Sequence, residues 1–147
     1  MQFVPLTPER QRQYAALGRL VVNMGTLDFQ LMIALKMVAG ESTDTLLRVL
    51  DSVFAYKVRD AQLHKEFNDI IRKLRDVNTR RNQHIHALWF ITDKSTAHKV
   101  RFIKGKKGQP IEWDSINVDV TEIEKLADEI LYATSELEKF TRSHFKI

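Results

Sequence analysis

Between Glu66 and Ile91, apolar side chains recur at the three- and four-residue intervals of an α-helix. Phe67, Ile71, Leu74, Arg81, Ile85 and Leu88 fall on one stripe, with Ile70 and Val77 beside it. A helix of this length cannot bury its stripe alone, so the chain has to supply partner helices. The same spacing appears on both sides of it. Thr7-Pro8-Glu9 combines a hydroxyl cap, a first-turn proline and an acid at the positive end of the dipole. Tyr14, Leu17, Val21, Met24, Leu31, Leu35 and Val38 then recur as far as the stop at Gly40. Ser42-Thr43-Asp44 caps a shorter helix with Leu46, Leu50 and Val53 on one face and Leu47 and Phe54 at its flanks. Thr121-Glu122-Ile123-Glu124 has the form of a capping box and opens a last helix carrying Ile123, Leu126, Ile130, Leu137 and Phe140.

After Thr92 the period changes. His98-Lys99-Val100-Arg101-Phe102-Ile103-Lys104 alternates as a strand does, Gly105-Lys106-Lys107-Gly108 supplies a turn, and Pro110-Ile111-Glu112-Trp113 begins a return. The expected fold is all-α: an antiparallel four- to five-helix bundle with one β-hairpin, about 97–118, inserted before the last helix. The 147 residues form a single domain, at 44% hydrophobic and 29% charged. No secretory signal or membrane span is visible, and the absence of cysteine excludes disulfides and thiolate chemistry; the expectation is a cytoplasmic protein.

Polar residues interrupt the packed faces at Asp28 in the first helix and at Asn78 and Arg81 in the central one. A carboxylate on a packed face requires a partner, and antiparallel packing of the first and central helices would bring Asp28 to Arg81 or Lys57. Gly18 and Gly25 weaken the first helix while opening it to close approach by another. The net charge of +4 says little about partners, but its distribution says more. Lys99, Arg101, Lys104, Lys106 and Lys107 crowd the hairpin beside Phe102 and Trp113, a combination suited to an RNA backbone and a stacked base; the plainer alternative is a hairpin kept soluble by its lysines.

His84 and His86 are two residues apart, about 200° around a helix, so they cannot chelate one ion together. No zinc, phosphate-loop or nucleophile-elbow motif occurs, and neither metal nor cofactor is expected. What remains is Arg81-Asn82-Gln83-His84-Ile85-His86, an arginine followed by a polar residue and, after three more positions, a histidine. With this motif late in a central helix, the chain resembles the HEPN (higher eukaryotes and prokaryotes nucleotide-binding) superfamily, whose signature is Arg, four to six residues, then His. Arg80 with His86 fits the same spacing, although Arg81 followed by Asn82 fits better.

The resemblance implies a metal-independent endoribonuclease acting as a homodimer, often a toxin or phage-defence effector with an antitoxin or other protein partner. It implies His86 in acid–base catalysis, Arg81 on the phosphate charge and Asn82 orienting, with His84 and Arg80 in support. Imidazole titrates near neutral pH and guanidinium matches phosphate oxygens, so the residue types suit attack by an RNA 2′-OH. Arg81 and His86 lie about 140° apart on a helix, so a shared cleft needs two copies. The alternatives are a non-catalytic module binding nucleotide, RNA or a protein, and a structural dimerisation bundle in which Asp28 simply pairs with Arg81.

Overall fold

The computed structural model describes residues 6–35, 42–103 and 112–144. Among these residues four helices, α1 (Pro8–Leu35), α2 (Thr43–Lys57), α3 (Ala61–Ile85) and α4 (Val120–His144), surround one core. Three strands, β1 (Leu88–Phe90), β2 (Thr96–Ile103) and β3 (Glu112–Asp119), intervene between α3 and α4. The Thr7 hydroxyl accepts from the Arg10 N–H at the start of α1, and the Ser42 hydroxyl accepts from Thr45 N at the start of α2. α2 runs through Lys57. The Asp60 carboxylate then accepts from Gln62 N and Leu63 N, so α3 begins at Ala61, ahead of the Glu66 expected from apolar spacing. The stop at Gly40 lies outside the described residues.

α1 packs against α4 and α2, and α3 packs against the same two, which places α1 and α3 across the diagonal of the bundle. The expected pairing of Asp28 with Arg81 or Lys57 is therefore wrong. Asp28 instead accepts from the Thr43 hydroxyl at 2.5 Å, tying α1 to the first turn of α2. Exposed ion pairs mark the other contacts: Arg12 with Glu124 and Arg19 with Asp128 between α1 and α4, Arg75 with Asp51 between α2 and α3, and Lys73 with Glu136 between α3 and α4. Such pairs add little stability individually but favour one register. At the centre Phe54 stacks on Phe67, with ring centroids 3.9 Å apart, and Phe140 leans on both.

The face that α1 turns inward differs from the expected one. Ala16, Leu20, Met24, Leu27 and Leu31 are buried, whereas Tyr14 and Val21 are more than half exposed and Leu17 is only partly covered. Val53 of α2 is likewise exposed, and Phe54 takes the inward position. α1 carries apolar residues on two arcs, and periodicity alone cannot say which arc meets the core.

The sheet is antiparallel in the order β1-β2-β3, with Trp89 opposite Lys99 and Ala97 opposite Val118. The hairpin was expected; β1 was not, because its residues continue the helical spacing of α3. Asp119, the last residue of β3, accepts from Thr121 N at 2.8 Å, so it caps α4 in place of the Thr121 box. One buried amide fastens the sheet to the bundle. Gln13 is fully buried in α1; its Nε2 donates to the carbonyls of Thr92 and Lys94, and its Oε1 accepts from Thr92 N, at 2.7–3.0 Å. Arg10 and Thr7 bind Asp93 just outside it.

Gln13→Leu keeps the volume but leaves three backbone groups of the β1–β2 connection without partners. At roughly 1–3 kcal/mol for a buried unsatisfied group, about 3 kcal/mol of stability should be lost. The expected reading is a lower urea midpoint at unchanged slope, with the 92–95 amides losing exchange protection first.

Candidate site at the carboxyl end of the third helix

α3 stops where its last carbonyls find other donors. The His84 carbonyl accepts from the Trp89 indole N–H at 2.8 Å and from Ala87 N at 3.4 Å, and the chain leaves the helix at His86. Leu88, Trp89 and Phe90 then pair with β2. The expected continuation of the helix to Ile91 is thus corrected, and Leu88 leaves the helical stripe assigned to it. Trp89 folds back, its ring stacked on that of His84 at 5.7 Å between centroids.

The four arginines of α3 divide sharply. Arg72 pairs with Asp69, Arg75 with Asp51, and Arg80 with both Asp76 and Glu129. Arg81 pairs with no carboxylate among the described residues; its guanidinium donates only to the Asn82 side-chain oxygen, at 2.7 Å. Of the two arginines that fit the motif spacing, Arg80 is committed to joining α3 to α4 and Arg81 is available to an anion. Asn82 holds the guanidinium, so its oxygen is not orienting the imidazole as expected. His86 is exposed at the end of the helix, and its ring has no hydrogen-bond or ion-pair partner among the described residues. Asp28 has no part in this site.

The same two turns hold polar atoms that are buried without a partner among the described residues: Asn78 Oδ1, Arg80 Nε, Arg81 Nε and His84 Nδ1. Buried polar groups are ordinarily bonded, so their gathering on one helix end sets this place apart from the rest of the bundle.

Beside them lies a group that sequence reasoning misplaced. Lys99 is 6% exposed, with its ammonium 6.0 Å from the centre of the Trp89 ring. Burial, then the charge of Arg101, lowers its pKa. It does not face solvent as an RNA-binding hairpin lysine would. Arg101 is bonded to Asp114 across the sheet at 3.0 Å, and Lys104, Lys106 and Lys107 lie outside the described residues. The alternation of β2 contained the signal, since Ala97 and Lys99 share a face and Ala97 is buried, but its partner Trp89 was assigned to a helix. Burial, followed by the charges of Lys99 and Arg80, pushes the His84 imidazole down to about 4. His84 is therefore neutral at physiological pH and a poor proton donor there.

Next to Arg80, Lys73, Asp76, Val77, Glu129 and Tyr132 line a groove of about 390 Å³ between α3 and α4; Arg81 and His86 do not line it. Among the described residues no cluster of three or more His, Asp or Glu side chains could hold a metal, and no helix is long and apolar enough to cross a membrane. No protein-family model matches the chain, and no curated protein or solved structure matches it either.

His84 gives a pH signature with a definite sign. Below pH 6.5 the unfolded chain protonates this imidazole, while the folded protein resists doing so until about pH 4. Its contribution to stability is complete above 6.5 and is lost as pH falls through that window. Ring resonances of His84 should titrate near pH 4 by NMR, and His84→Gln should flatten the dependence of the urea midpoint between pH 6.5 and 4.

Proposed function

We propose that this chain is a metal-independent endoribonuclease of the HEPN kind, with Arg81 engaging the scissile phosphate and His86 moving the proton. The observation that carries this reading is that Arg81 meets no carboxylate among the described residues, on a helix whose other three arginines are all neutralised. A guanidinium without a carboxylate, held by Asn82 beside buried polar atoms with spare bonding capacity, suits the charge that develops on phosphate oxygens. The imidazole in reach of solvent at this helix end is His86, because His84 is half-buried and resists protonation. Arg81 sits in the last turns of α3 and His86 just past its end, five positions on, and a second copy supplies the complementary pair across a two-fold cleft. Attack by the 2′-OH leaves a 2′,3′-cyclic phosphate and a 5′-hydroxyl, and needs no metal. A toxin or defence role, with an antitoxin or other protein partner, is consistent with that activity.

The rival reading is a module that binds RNA, a nucleotide or a protein at the same place without turnover. It is favoured by one feature: nothing among the described residues orients the His86 ring.

Incubating purified protein with RNA in EDTA separates them. His86→Ala should lower the cleavage rate by about 10²–10⁴-fold, the usual range for a general acid or base, and Arg81→Ala by about 10²–10³-fold, as for a lost oxyanion donor. Arg80→Gln should lower the melting temperature and leave cleavage nearly intact. Saturable binding without products would establish the rival, and full activity in His86→Ala would remove that residue from the mechanism.

A further inference from the structure

The outward face of α1 has no occupant among the described residues, although its composition is that of an interface. From Gln11 to Phe29 its exposed arc consists of Gln11, Tyr14, Ala15, Gly18, Val21, Val22, Gly25, Thr26 and Phe29, with no charge over roughly 27 Å. This occurs in a chain that is 29% charged. The exposed charges of that stretch, Arg12 and Arg19, are turned aside to Glu124 and Asp128 of α4. Tyr14 is 53% exposed, Val21 57%, Val22 67% and Phe29 55%. A side chain added at Gly18 or Gly25 would meet nothing within 4 Å, so the subunit's own packing does not require glycine at either place. Glycine weakens an exposed helix relative to alanine, and here it keeps a flat, close-approach surface between the larger groups.

We infer that this face binds a second copy of the same chain, α1 against α1 in antiparallel orientation about a two-fold axis at the Val21–Val22 peptide. The order of residues argues for this occupant, because six of the nine residues of the stripe are arranged symmetrically about that point. Tyr14 and Phe29 stand equally far from it on either side, as do Gly18 and Gly25. Reversing one helix against the other sets Tyr14 beside the partner's Phe29, Gly18 beside the partner's Gly25, and Val21 beside the partner's Val22. A two-fold contact requires this self-complementarity, and an unrelated partner does not. Gly18 and Gly25, like Tyr14 and Val21, are a heptad apart, the repeat of a left-handed helix pair. Tyr14 and Phe29 alone offer roughly 200 Å² of exposed surface, about a quarter of the ~800 Å² that each side of a standard interface buries. The contact is small and dissociates on dilution.

It does not depend on the ribonuclease reading. α1 lies diagonally opposite α3, so the contact leaves the Arg81 end of each subunit open. If α3 ends also pair, two different self-contacts on one chain build an assembly of four where their two-fold axes cross at right angles.

Sedimentation measures the mass, and the absence of cysteine allows a clean cross-linking test. The wild-type chain should associate in an even number at high concentration, and Val21→Glu with Val22→Glu should halve that number while leaving the helical circular dichroism unchanged. Gly18→Cys protein mixed with Gly25→Cys protein should form a disulfide dimer at least tenfold faster than either alone, because a disulfide needs Cα atoms within about 7 Å. A wild-type chain that stays monomeric at every concentration, or a mass unchanged by the two glutamates, would overturn the proposal. So would Gly18→Cys cross-linking as fast to itself as to Gly25→Cys. Binding of the α1 face to vesicles or to a different protein, with no self-association, would assign it another occupant and overturn it as well.

Discussion

The His84 carbonyl is where the bundle becomes a sheet. At the end of α3 this oxygen has lost its helical donor, and the indole N–H of Trp89 takes the place. That one bond turns the chain back on itself, starts β1 and sets Trp89 against His84. β1 then provides the edge on which β2 pairs, and Lys99 of β2 comes to lie over the same indole. At the far side of the connection, Gln13 binds the backbone of Thr92 and Lys94 and returns the sheet to α1. The position of the candidate site, outside the last turn of α3 and against the sheet, follows from these two anchors.

That turn of α3 is costly to hold as it is. Asn78 is 6% exposed with an unpartnered oxygen, and Arg80, Arg81 and His84 each keep a buried nitrogen without a partner. Apolar residues at these positions would fold with less conflict, since burying an unbonded polar group costs about 1–3 kcal/mol. Local rules are most often broken where a protein recognises something. Neutral His84 fits the same picture: surrounded by Lys99 and Arg80, it stays unprotonated and adds no further positive charge to a place already rich in it.

The four helices and the β2–β3 hairpin were legible in the sequence because their signals are local. Pro8 in a first turn, Ser42 as a cap and the alternation of His98 to Lys104 each act within a few residues. The structure departs from the expectation where a distant group decides. Leu88-Trp89-Phe90 continues the spacing of α3 and becomes a strand only because β2 is there to pair with it. Lys99 looks like a surface lysine until Trp89 is placed beneath it. Asp28 was recognised as needing a partner, but Thr43, close by in sequence, supplied it in place of a cation across the bundle. In the site, the arginine and histidine types were visible from spacing. Which arginine lacks a carboxylate among the described residues was not, because that depends on Glu129 of α4 reaching Arg80.

α1 shows how one helix can carry two apolar faces for different purposes. Its inner arc, from Ala16 to Leu31, joins the core. Its outer arc is less hydrophobic and uncharged, and keeps two glycines where the inner arc has leucines, so the outer surface is shaped for approach by a backbone rather than for interdigitation with large side chains. Sequence periodicity merges the two arcs into a single stripe, and the expectation accordingly mixed Met24 and Leu31 with Tyr14 and Val21. The distinction matters for any mechanism built on a shared cleft. A two-fold through α1 and a two-fold through the ends of α3 lie on opposite corners of the bundle, so one pair of subunits cannot use both. A cleft that needs two copies of Arg81 and His86 therefore has to be made by a contact other than the one α1 is shaped to form.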